Sequence, residues 1–497
     1  MNATVHPGPL AGTVVAPPSK SDTHRAILAA AFSDGGRILR PLRSADTLSS
    51  ARAVAAFGAS VDWTEPSASA THEGDGHEPG DYVGSERGTG AVTEDDTARA
   101  PRERGSSETD GASPGRPVEQ QGSGRPETVT VEGFAGSPTV PETVIDCANS
   151  GTTMRLATAT AGLVEGTTVL TGDASLRSRP QGALLEALEA LGANARSTRE
   201  NGRAPIVVEG PMRGGTTTLP GEVSSQFVSA LLLAGASTPE GIRIDLTSSL
   251  VSAPYVELTR SVLSTFGVDV SLDPTGSPEG YRAYSVPGGQ RFAAPAEGYL
   301  VSSDFSSISY LLALGAVAAE AGLTVTGATP SPQGDTAIVD ILDRMGADIA
   351  WDRDAGEIDV ARAPLNGVTV DVGDTPDLLP TIAALGAVAD GRTRIVNAGH
   401  VRLKETDRIA AMAAELERLG VAVEEHEDEL VVTGSPAGPG GGTTVDSHGD
   451  HRIAMALSIP AVRADRPITI AGAEHVEVSF PGYFETLASL GIEIDRN

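Results

Sequence analysis

Lysine is almost missing from this 497-residue chain: 34 of its 36 basic residues are arginine, and the exceptions are Lys20 and Lys404. A chain that uses arginine nearly everywhere keeps lysine where a compact, titratable ammonium is needed, because a guanidinium is planar and permanently charged. There is one cysteine, Cys147, which excludes an internal disulfide framework and a CxxC metal site. No apolar run reaches 18 residues, which excludes a membrane-spanning helix. The first residues lack a basic stretch followed by an apolar one, so a soluble, cytoplasmic protein is expected. Positive charge is short overall: the net charge is −30, which argues against nucleic acid or an anionic membrane as a partner. An acidic, lysine-poor composition suits concentrated salt, where charge repulsion is screened over about 3 Å at 1 M. Residues 66–126 contain no Leu, Ile, Met, Phe or Trp. Such a stretch cannot bury enough surface to offset its ordering entropy, and it is expected to be a disordered or loosely held insertion between two strands.

The whole chain is 39% hydrophobic and long enough for two cores. One pattern recurs six times: an apolar helix end, a glycine, then alternating apolar residues. The glycines are Gly58, Gly192, Gly267, Gly346, Gly420 and Gly491, and from Gly192 onward they are 75, 79, 74 and 71 residues apart. Each reads as the left-handed residue that ends a helix. The helices before them keep a 3.6-residue period, as in 184–191 and 412–419. A second helix in each unit is opened by a short polar loop, with Ser, Asp or Asn as cap. The spacing predicts six strand–helix–strand–strand–helix–strand units of about 75 residues, an α/β architecture with three units per domain around inner helices.

The polar loops carry the chemistry. They read Pro18-Ser-Lys-Ser21, Asn149-Ser-Gly-Thr-Thr-Met-Arg155, Arg179-Pro180, Ser224-Ser-Gln226, Leu403-Lys-Glu-Thr-Asp-Arg408, Asp450-His-Arg452 and Phe480-Pro-Gly-Tyr-Phe484. In this order, on a sixfold repeat, they resemble the 5-enolpyruvylshikimate-3-phosphate synthase family over essentially the whole chain apart from the insertion. The resemblance implies the two-domain enolpyruvyl-transferase fold, with residues 1–18 plus 300–497 in one half and 19–299 in the other. Inner helices would aim their N-termini at the cleft, where free N–H groups and positive dipole ends attract anions.

The activity implied is transfer of the enolpyruvyl group of phosphoenolpyruvate to the 5-hydroxyl of shikimate 3-phosphate, in aromatic amino acid biosynthesis by the shikimate pathway. By resemblance, phosphoenolpyruvate is held by Lys20, Asn149, Gly151, Arg179, Gln226, Arg408 and Arg452. Shikimate 3-phosphate is held by Lys20, Ser21, Arg25, Ser224, Ser225, Gln226, Ser252, Tyr255, Asp377 and Lys404. Arginine suits static anion contacts because its fork is bidentate. Asp377 is expected to engage the attacking hydroxyl, Glu405 to serve the proton steps at C3, and Lys20 is a further acid candidate. Asp407 and Asp450 are read as caps or ion-pair partners.

Two departures bear on this. Where the family often has a lysine before its Phe-Pro segment, this chain has Val478, and where it often has a basic residue after the serine of Ser-x-Pro-Tyr, it has Ala253. The sister transferase acting on UDP-N-acetylglucosamine is the nearest alternative, but it typically uses a loop cysteine, whereas Cys147 adjoins the Asn149 motif. A non-catalytic anion-binding relative would not need Asp377 and Glu405 beside anions. The nine histidines show no metal-ligand spacing, so no metal and no cofactor are expected, and the protein is expected to act as a monomer on small molecules.

Overall fold

A computed structural model of the chain describes residues 1–64 and 127–497. The expected insertion at 66–126 therefore lies outside the described residues. The strands that flank it, Ser60–Thr64 and Thr128–Glu132, pair antiparallel with Thr64 opposite Thr128.

The described strands form six four-stranded sheets. In the sheet of Gly215–Leu219, Ile242–Leu246, Ala283–Val286 and Ser271–Asp273, the first two strands are parallel and the later pairs antiparallel. A parallel pair needs a crossover, and the helix Ser225–Gly235 supplies it. The helix Ala253–Thr265 then leads into the antiparallel pair. The unit thus runs strand–helix–strand–helix–strand–strand. The second helix comes one strand earlier than the sequence spacing predicts, because the last two strands are joined directly as an antiparallel pair. All six repeat glycines have positive φ, from 76° at Gly267 to 106° at Gly58, as expected for helix-ending residues.

Three units borrow a strand from far along the chain. Tyr299–Leu300 lies parallel to Gly35–Leu39, and Gly12–Val15 lies parallel to Leu323–Thr326. The first strand, Asn2–Val5, sits between Ile468–Ala471 and Ile494–Arg496. Two hydrophobic cores result. One draws on residues 3–16 and 305–492, the other on 26–301. Each is filled by helices that are buried nearly all round, such as Phe305–Ala318, Leu379–Val388 and Ser225–Gly235. None of the described helices is long and apolar enough to cross a membrane.

These inner helices start at caps whose side chains accept backbone N–H bonds. Ser19 caps Lys20–Phe32, Ser150 caps Gly151–Ala161, Ser224 caps Ser225–Gly235, Asp304 caps Phe305–Ala318 and Asp450 caps His451–Ala456. The capped ends, rather than the sheets, carry the polar motifs.

Candidate active site

The cavity into which these helix ends open brings together fourteen of the sixteen site residues expected from sequence. Lys20 and Ser21 come from one helix start, Gly151 from the next, and Arg179 from the loop before Gly182–Ala190. Ser224, Ser225 and Gln226 come from a third start, and Ser252 and Tyr255 from a fourth. From the other core come Asp377, Lys404, Glu405, Arg408 and Arg452. Asp407, left out of the chemistry on sequence grounds, caps the Arg408–Arg418 helix and pairs with Arg402 at 2.7 Å.

The other two stand one layer back. Arg25 is buried and donates to the Ser21 and Tyr255 carbonyls and to Thr259 and Ser229, so it shapes the wall that Ser21 and Tyr255 present. Asn149 accepts from Arg179 at 2.7 Å and donates to Asp173 at 2.6 Å, which fixes the Arg179 guanidinium. Four further polar residues of the lining were not expected from sequence: Asp46, Thr152, Arg155 and His400. Thr152 and Arg155 stood inside the Asn149–Arg155 motif quoted for other residues and His400 stands three residues before the Leu403 motif, whereas nothing local marks Asp46.

The electrostatics follow from pairing at the cavity floor. Arg408, only 1% exposed, spends its fork on three carboxylates: Asp450 at 2.8 Å, Asp377 at 2.8 Å and Glu405 at 2.7 Å. Arg452 takes the other oxygen of Asp377 at 2.7 Å, and Arg179 lies 3.8 Å from Glu405. Burial opposes the charge on Asp377, but Arg452, Arg408 and Lys404 outweigh it and hold the group well below the usual carboxylate range. Glu405 is likewise buried, yet Arg408 and Arg179 keep it ionised. Burial pulls Lys404 below its ordinary value, and burial with Lys404 beside it brings His400 down to about 4, so His400 is neutral at pH 7. Lys20 pairs with Asp46 at 3.1 Å. Arg155 donates to Gln226 at 2.6 Å, and Gln226 donates to Thr152.

Six cations therefore face three carboxylates across the lining, a local positive excess in a chain of net charge −30. Buried Nε atoms of Arg155 and Arg179 have no hydrogen-bond partner, which leaves donor capacity. Such a floor, at helix N-termini, suits multiply charged anions with two ionised carboxylates beside them.

The sequence profile described as EPSP synthase (3-phosphoshikimate 1-carboxyvinyltransferase) matches residues 5–82 and 118–487. The chain belongs to the EPSP synthase family. The gap in that match falls within the lysine- and leucine-free insertion. Among EPSP synthase relatives, the 3-phosphoshikimate 1-carboxyvinyltransferase of Halorubrum lacusprofundi is 52% identical over 504 residues, spanning 100% of this chain and 99% of the relative. That of Natronomonas pharaonis is 51% identical over 499 residues, with the same coverage. Both come from halophilic archaea, in line with the acidic, lysine-poor composition. The solved EPSP synthase from Acinetobacter baumannii matches with a TM-score of 0.72 and 26% identity over 100% of both chains. The enolpyruvyl transferase NikO from Streptomyces tendae shares the fold, with a TM-score of 0.66 at 19% identity over 99% of this chain and 98% of that one.

Proposed function

We propose that the protein transfers the enolpyruvyl group of phosphoenolpyruvate to the 5-hydroxyl of shikimate 3-phosphate and releases phosphate. The observation that carries this reading is the ring of six cations around Asp377 and Glu405 at the helix N-termini. The hydroxyl oxygen bonds to C2 of the enol as its proton passes to Asp377 and C3 gains a proton. The tetrahedral adduct then loses a proton from C3 to Glu405, the C2–O bond to phosphate breaks, and the double bond reforms. Arg179, Arg408, Arg452 and Arg155 hold the charged phosphoenolpyruvate, with Gly151 supplying backbone N–H. Ser224, Ser225 and Ser252 take the shikimate phosphate, and Lys404 its hydroxyl region. Lys20, beside Asp46, serves both anions and is a candidate acid at C3.

In this reading the two cores are halves, 1–18 plus 300–497 and 19–299, that close around the substrates, and the enzyme works as a cytoplasmic monomer without a metal or cofactor. Val478, where the family often has a lysine, does not line the cavity, and the cations that do include Arg155. At the other departure, the Ala253 backbone N–H donates to Asp374 at 3.1 Å, a contact between the cores. The sister reading on UDP-N-acetylglucosamine gains nothing from Cys147, a buried thiol that burial and Asp146 push up to about 12. A coupled phosphate-release assay in concentrated salt with both substrates tests the proposal, and Asp377→Asn should reduce turnover to background.

A further inference from the structure

Behind Asp377 lies a second carboxyl group that the chemistry above does not use. Asp335 is fully buried, at 0% exposure. Its Oδ2 accepts from the Tyr255 hydroxyl at 2.6 Å, from Ser306 at 2.7 Å and from Gln333 at 3.0 Å. Its Oδ1 is buried with no hydrogen-bond partner. The same Tyr255 hydroxyl lies 3.1 Å from Oδ2 of Asp377, so one phenol bridges two carboxylates contributed by the opposite core. The groups around them are unequal. Asp377 faces Arg408 and Arg452 directly. Asp335 faces the neutral Tyr255, Ser306 and Gln333, with Asp377 and Arg452 beyond, and Gln333 links it to Asp304 at the cap of Phe305–Ala318.

We propose that Asp335 is a positioning residue that holds the proton collected by Asp377, passed to it through the phenol of Tyr255. The proposal rests on the reading that Asp377 takes the proton of the attacking hydroxyl. When it does, the charge that two arginines hold is lost. In the relay, Asp377 gives that proton to the Tyr255 oxygen while the Tyr255 O–H proton passes to Asp335. The phenol ends unchanged, Asp377 is ionised again between its arginines, and the neutralised carboxyl is the one whose buried oxygen has no partner. The reverse exchange returns the proton through Asp377 to the departing phosphate, which closes the cycle. Burial, reinforced by the Asp377 charge, raises Asp335 to about 6, so it is the better home for a proton of the two.

Asp335 must be ionised to receive the proton, so turnover should fall as the pH falls through about 6. The test is the pH profile of kcat for the full chain and three variants. Asp335→Asn should lower kcat at pH 7 by about tenfold or more, change KM for shikimate 3-phosphate less than about threefold, and lose the acid limb near pH 6. Tyr255→Phe should lose the same limb with Asp335 in place, and it decides the matter if Asp335→Asn does not fold. The double variant should be no slower than the worse single one, because a relay cut once is cut. An acid limb retained in both single variants, or costs that add, would overturn the relay. Asp377→Asn tests the underlying reading separately: if it still turns over, the role of Asp377 falls. If it is inactive while the other variants keep the limb, only the relay falls.

Discussion

Replacing Arg408 by lysine keeps one positive charge at the site and removes its geometry. The guanidinium meets three carboxylates with three separate N–H groups at 2.7–2.8 Å, and it is 1% exposed. An ammonium on a shorter stem can stand beside only part of that set. Asp377 retains Arg452 at 2.7 Å, and Glu405 retains Arg179 at 3.8 Å. Asp450, 0% exposed, is left with the Arg452 backbone N–H and His451 at 3.6 Å. Breaking a buried pair by removing one partner costs about 3–5 kcal/mol, so Arg408→Lys should lose about 3 kcal/mol of unfolding free energy at pH 7. The sign with pH follows from the depressed carboxyls. Asp377 and Glu405 stay ionised in the fold below their unfolded values, so their contribution is present above about pH 4 and lost as the pH falls through their folded values. The gap between the parent and Arg408→Lys should therefore be widest near neutrality and narrow on acidification. Urea unfolding at fixed high salt, at pH 7 and at about pH 2, between the unfolded and folded values of these carboxyls, measures it. A difference under about 0.5 kcal/mol at pH 7, where surface changes fall, would refute the reasoning. So would a gap that does not change with pH.

Three further outcomes are expected. Lys20→Arg should cost far more turnover than a surface Arg→Lys change, because the bulkier guanidinium must fit beside Asp46 and is a poor acid near neutrality; Lys404→Arg should instead raise KM for shikimate 3-phosphate more than it lowers kcat, and steady-state kinetics in high salt separate the two. Small-angle scattering should show a smaller radius of gyration with both substrates than with neither, since the anion ligands are divided between the two cores; an unchanged radius would count against closure. Deleting residues 66–126 and joining Thr64 to Thr128, already paired, by a short turn should leave kcat nearly unchanged; a folded but inactive deletion would assign the segment a function.

Much of this was legible in the sequence because it is local. A helix-ending glycine needs a positive φ, and six of them, the last five at a steady interval, gave away the repeat. Caps and cavity-lining side chains share the same short polar loops, so finding the loops found Lys20, Ser224, Arg408 and Arg452. What escaped depends on distant parts of the chain meeting. The two-residue strand Tyr299–Leu300 has no periodicity of its own and exists only beside Gly35–Leu39. The same holds for ion-pair partners: Asp46 follows a helix cap and looks like any first-turn acid until Lys20 is seen 3.1 Å away. Asp335 sits in an unremarked Gln-Gly-Asp turn, and only the fold brings Tyr255 to it. Arg25 follows the Pro18–Ser21 motif by one helical turn, but its fork is taken up by carbonyls and hydroxyls of its own core, one layer behind the cavity.

The central claim is that this cavity joins phosphoenolpyruvate to shikimate 3-phosphate. Phosphorus NMR of the chain in concentrated salt with both compounds tests it most directly. One equivalent of inorganic phosphate should appear for each phosphoenolpyruvate consumed, together with a new sugar-phosphate signal from the enolpyruvyl ether, and neither should form with Asp377→Asn. No phosphate from this pair, or phosphate released only when UDP-N-acetylglucosamine replaces shikimate 3-phosphate, would contradict the account.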